Sequence, residues 1–104
     1  MDREEEGDEQ LLEALQEPLV TADQIYQFGH TLIDEGLGDK AMMVFELNRE
    51  RFPDDNFTTY LGLAHGYELL GKHKQAIKHY RLAAENAPEG QQDYYLSLAL
   101  ALEP

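Results

Sequence analysis

From residue 22 onward the apolar side chains recur every three or four positions, the spacing that gives a helix one face to bury. Thr21 and Gln24 have the spacing of a capping box, and Val20 and Ile25 can close a staple across it, so a helix is predicted over 22–35 with Gly36 and Gly38 ending it. A second, over 39–51, carries Ala41, Val44, Phe45 and Asn48 along one face with Met42 and Met43 beside them. Phe52-Pro53-Asp54-Asp55-Asn56 stops it, because the residue before proline leaves the helical region and Asp or Asn caps the next helix. Helices are predicted over 57–70, with Gly71 as the left-handed stop, over 73–86 before Pro88, and over 91–102. The last is apolar all round, with Leu96, Leu98, Leu100 and Leu102 alternating with small residues. That alternation also suits a strand, but leucine and alanine content favours helix. Before residue 21, Leu11, Leu12 and Leu15 predict a short helix over 9–17 ended by Pro18, and residues 1–8, with no apolar side chain after Met1, are expected to be disordered.

The helices repeat one another at an offset of 35 residues. Ile25, Tyr60 and Tyr95 are in register, as are Phe28, Leu63 and Leu98, then Gly29, Ala64 and Ala99. Gly36 matches Gly71, Ala41 matches Ala76, Phe45 matches Tyr80 and Pro53 matches Pro88. Such a period implies a stacked array in which each unit buries its apolar face only against its neighbours. The run Tyr60-Leu-Gly-Leu-Ala64-His-Gly-Tyr67 followed by Gly71, Ala76-Ile77, Tyr80, Ala83 and Pro88 resembles one complete tetratricopeptide repeat. Residues 22–55 resemble a second copy, with Asn48 where the family prefers a small residue such as Ala83, and 92–104 the first helix of a third. The fold expected is therefore all-α: an acidic segment over 1–21, then a helix-turn-helix array of about two and a half repeats over 22–104. Repeat one spans 22–55, repeat two 57–90 and a terminal helix 91–104.

Composition narrows the function. A chain of 104 residues is one small domain with a modest core. It has no cysteine, hence no disulfide, thiolate ligand or cysteine nucleophile, which fits a reducing, cytoplasmic setting. The acidic start lacks the basic and apolar regions of a secretory signal, and the run from Tyr94 to Leu102 is too short to span a bilayer, so no membrane association is expected. The formal charge is −13, and residues 1–17 hold eight of the 21 acids. Lys40, Arg49, Arg51, Lys72, Lys74, Lys78 and Arg81 all fall in or beside the second helix of a repeat and none in a first helix. Nucleic acid, which needs a clustered basic face, is excluded as the expected partner.

Gly29, Ala64, Ala41 and Ala76 are read as close-packing positions and Phe28, Leu63, Phe45 and Tyr80 as core; Gly62 and Gly66, costly inside a helix, imply a close neighbour. The family resemblance implies that first helices line a concave groove for peptides or helices. Carried over position by position, the groove residues are Asp23, Tyr26, His30, Ile33 and Asp34, then Leu61, His65, Glu68 and Leu69, then Asp93, Leu96 and Leu100. The members that clamp acidic chaperone tails need Lys, Arg and Asn there, where this chain has Tyr26, His30, Gly62, His65, Asp93 and Ser97. The surface instead suits a helix or extended segment with apolar anchors and a basic rim. His30 and His65 occupy equivalent positions on adjacent helices and, with Asp34 or Glu68, could hold a divalent ion or titrate with pH; they are read as ordinary groove histidines, with no metal and no cofactor expected. The apolar last helix is expected to pair with a second copy or another segment.

No catalytic constellation is visible: the only serine, Ser97, lacks a nucleophile elbow, and there is no phosphate loop or zinc motif. The expectation is a non-enzymatic protein-protein interaction module or scaffold. Ala41 to Asp54, with Val44-Phe45-Glu46-Leu47-Asn48 and Phe52-Pro53-Asp54, also resembles the repeat tail fused to some bacterial serine hydrolases of esterase or penicillin-recognising type. That likeness implies a docking or assembly domain associated with a hydrolase; a chaperone-like adaptor is a further alternative.

Overall fold

The computed structural model describes residues 19–104, so the helix expected over 9–17 lies outside it. The described residues form five helices and no strand: α1 (Ala22–Asp34), α2 (Gly38–Arg51), α3 (Thr58–Leu69), α4 (His73–Glu85) and α5 (Gln92–Leu102). Each packs on the next, and α1 also meets α3. The body is 19 Å across its thinnest axis, the depth of two helices.

Local chemistry sets the ends. Thr21 Oγ1 accepts from the Gln24 amide at 3.2 Å and Gln24 Oε1 from the Thr21 amide at 3.0 Å, closing the capping box that starts α1. α1 and α3 end alike, 35 residues apart. Gly36 and Gly71 take φ of 80° and 76°, and the amides after them turn back five residues, Leu37 N to Leu32 O at 2.8 Å and Lys72 N to Tyr67 O at 2.9 Å. These are Schellman closures, which need a residue free to adopt positive φ. At the start of α3, Asp55 Oδ1 accepts from the amides of Phe57 and Thr58 at 3.0 and 2.7 Å.

One ring locks α1, α2 and α3 together. Phe45 of α2 is fully buried, and a Cβ placed on Gly29 of α1 or on Gly62 of α3 would come within 2.3 and 2.6 Å of its edge. Gly66 is bare for the same reason, facing Met42 Sδ. The helix-breaking cost of glycine is therefore offset by approach no side chain would allow. Asn48, at a position where a small residue was expected, is wholly buried; its Nδ2 donates to Ala22 O at 3.1 Å, while Oδ1 has no partner. Arg49 bolts the turn between α2 and α3: Nη1 donates to Asp55 O, Asn56 Oδ1 and Thr59 Oγ1, and its guanidinium lies 4.2 Å from the centroid of the Tyr60 ring.

The last helix keeps the repeat register. α5 buries Ala99 and half-buries Tyr95, Leu98 and Leu102, the positions that match Ala64, Tyr60, Leu63 and Tyr67 of α3. α3 also turns Thr59, Gly62, Leu63 and Gly66 toward α2, whereas Tyr94, Ser97 and Ala101, 35 residues beyond three of these, are exposed on α5. Tyr94 is 63% exposed and Leu100 55% exposed.

Candidate functional site

The C-terminal turns of α1 and α3 lie side by side, and between them opens a cleft of about 360 Å³ lined by His30, Ile33, His65, Glu68 and Leu69. All five belong to the groove expected from the sequence. Its floor is a run of four rings. Tyr26 meets His30 edge-on at 4.6 Å between centroids, His30 meets His65 at 4.8 Å, and His65 meets Tyr80 at 5.4 Å. Tyr26 and His30 are one helical turn apart, which places both rings on the same side of α1.

Tyr80 is legible in the sequence only as core. Its ring is buried under α3, and its hydroxyl holds two residues of the cleft lining from beneath, donating to Glu68 Oε1 at 2.6 Å and lying 2.8 Å from His65 Nδ1. A phenol has one proton, and Glu68 takes it, so His65 Nδ1–H donates to the Tyr80 oxygen and Nε2 keeps the lone pair. A signal was present: Tyr80 stands where Phe45 stands one repeat earlier, and a buried tyrosine hydroxyl needs a partner that phenylalanine does not.

These surroundings keep the cleft histidines neutral. Burial, then the neighbouring His30, pushes His65 down to about 4 against the opposing pull of Glu68; burial also lowers His30, with Asp34 opposing. His30 Nε2 is buried with no hydrogen-bond partner. Burial first, with the Tyr95, Tyr94 and Asp23 side chains adding to it, raises Tyr26 to about 12, and burial followed by the Glu68 hydrogen bond raises Tyr80 further still.

The remaining groove residues lie elsewhere. Asp23 is exposed at the start of α1, accepting from Thr58 Oγ1 at 3.4 Å. Leu61 is only 5% exposed and sits in the core with Ala64, Ala76 and Tyr80. Asp93 and Leu96 line a second open cleft of about 370 Å³ with Arg81, Ala84, Glu85 and Gln92, between α4 and α5, and Leu100 is exposed. Among the described residues no three His, Asp or Glu side chains are grouped to hold a metal ion, and no helix is long and apolar enough to cross a membrane. Comparisons of the chain with family models, with curated proteins and with solved structures returned no match.

Proposed function

We propose that this chain is a non-catalytic interaction module, a tetratricopeptide-like array that binds a helix or extended segment of another protein across the face formed by α1 and α3. The observation that carries this reading is the α1–α3 cleft, in which aliphatic, aromatic and acidic side chains converge without a lysine or arginine in the lining. Repetition of the Schellman closure, and of the glycine or alanine at positions 29, 64, 41 and 76, supports the array. The only serine, Ser97, donates to Tyr94 O within its own helix, which supports a binding rather than a hydrolytic role. An acidic ligand is disfavoured by Glu68 in the lining and by Asp34, whose charge acts on His30, whereas apolar anchors with basic neighbours match it.

The test is a screen of the purified domain against acidic and basic peptide pools at two salt concentrations. Basic amphipathic peptides should bind, more weakly at high salt, and Leu69→Ala should speed dissociation. Selection of acidic C-terminal tails, or loss of binding only on mutating Lys74 or Lys78 of α4, would place function on another face.

A second reading rests on α5, whose Leu96 and Leu100 side chains, one helical turn apart, are both exposed. This ridge suits pairing with a second copy or with a larger protein to which the domain docks, a hydrolase included.

A further inference from the structure

We propose that the α1–α3 cleft is a pocket for a single lysine or arginine side chain of the partner, so that a basic residue is the anchor rather than part of a rim. This rests on the interaction-module reading above and specifies the chemistry of the same site.

Two helices end at this cleft, and the backbone at the end of each carries a partial negative charge equivalent to about half an elementary charge. Helices commonly offset that charge with Lys or Arg in the last turn. Neither α1 nor α3 has one; their last turns bring Asp34 and Glu68 instead. Side-chain and backbone charge therefore add rather than cancel, at a concave place where a field is focused.

The walls fit the rest of such a side chain. Ile33 and Leu69 flank the opening, and Leu69 is 50% exposed, giving aliphatic surface for a methylene stem. Gly38 leaves room for Leu69, whose Cδ2 would lie 2.6 Å from a Cβ there. The charged end has a prepared acceptor. Tyr80 holds Oε1 of Glu68, which orients the carboxylate and leaves Oε2 for a ligand. The two histidines do not compete as cations, since both are held neutral, and the buried, unpartnered Nε2 of His30 lies in the same lining. A carboxylate ligand would meet two acids and two helix C-termini. A plain hydrocarbon would use the walls and leave the polar end unanswered.

The experiment is an NMR titration of the labelled domain at neutral pH with N-acetyl-lysine methylamide and N-acetyl-arginine methylamide. The neutral norleucine and citrulline counterparts are the comparison. The basic probes should shift His30, His65, Ile33 and Leu69 saturably, and the neutral ones should bind about fivefold or more weakly. Glu68→Gln, with an unchanged thermal midpoint, should remove that preference, while Glu89→Gln, remote from the cleft, should keep it. Equal binding of norleucine and lysine probes at these residues would overturn the cation pocket while leaving an apolar peptide groove standing. The cation pocket is likewise overturned, and the groove kept, if no basic probe reaches the cleft but peptides from the pool do bind across α1 and α3. If neither the probes nor the pool bind there, both readings fall.

Discussion

Phe45 presses one ring edge against glycines of two helices, and that makes Gly62 a sharp test of the packing. In a solvent-exposed helix Gly→Ala is worth about 1 kcal/mol in favour of the alanine. At Gly62 the new Cβ would stand 2.6 Å from Phe45 Cδ1, and the ring has little room to swing away because the same Cδ1–Cε1 edge lies against Gly29, where a Cβ would be 2.3 Å from Cε1, while Cδ2 on the other edge faces Gly66. Relief requires α3 to move off α2, an overpacking cost of about 1–3 kcal/mol. Gly62→Ala should therefore be destabilising by up to about 2 kcal/mol despite its propensity gain. Phe45→Leu alone should cost about 1–2 kcal/mol through lost contact. Combined, the two should cost less than their sum, with a coupling of about 1 kcal/mol or more, because the smaller side chain vacates the space the methyl needs. Urea melts of the four proteins, followed by circular dichroism, measure it. Strict additivity, or stabilisation by Gly62→Ala, would show that Phe45 does not fill the gap between the helices.

Ala76, fully buried under α3, should tolerate leucine poorly, at about 1–3 kcal/mol, whereas Lys78→Ala on the exposed side of α4 should stay within about 0.5 in the same melts. Acid should destabilise the fold through His65, which faces Tyr26 and His30 of α1, Tyr80 of α4 and Glu68 of its own helix. Its folded value of about 4 lies below the unfolded one near 6.5, so up to about 3 kcal/mol present above pH 6.5 is lost as pH falls toward 4. His65→Gln should flatten that part of the stability profile, and an imidazole titrating at 6.5 or higher in the folded protein would refute it. Light scattering should show concentration-dependent association through α5 that Leu96→Glu and Leu100→Glu abolish; a strict monomer that binds no apolar dye would count against the exposed ridge.

Much of the architecture was legible because its signals are local. The capping box at Thr21 and Gln24, proline at 53 and 88 and the positive-φ glycines at 36 and 71 place helix ends to within a residue or so. The bare positions Gly29, Gly62 and Gly66 were recognisable as close contacts, although only the structure identifies Phe45 and Met42 as the side chains that need the room. What the sequence hid depends on angles between helices. Repeat arithmetic put Leu61 in the groove and Asp93, Leu96 and Leu100 alongside His65, but Leu61 turns inward, and Asp93 and Leu96 line a separate cleft against α4. Neither follows from the 35-residue period, which marks the buried face of each helix but not how neighbouring helices are set against one another. The part of Tyr80 in the cleft was hidden differently: its ring obeys the core pattern and its oxygen does not.

The Arg49 bolt has no counterpart one repeat later. Thirty-five residues on, the position is Ala84, whose methyl cannot span the turn before α5 as that guanidinium spans the turn before α3. Arg49 thus ties the first helical pair to the start of α3, and the partner proposed for α1 and α3 would lose little affinity to reshaping its receptor. α5 is fastened at its far end by the Arg81–Glu103 ion pair, which is partly exposed to solvent and screened by salt. Amide exchange should consequently divide the molecule unequally, with α1 to α3 opening as one slow unit and α5 opening sooner, faster still in high salt. Were the proposed binding face correct, such a molecule would pair a stiff receiving surface with a compliant tail.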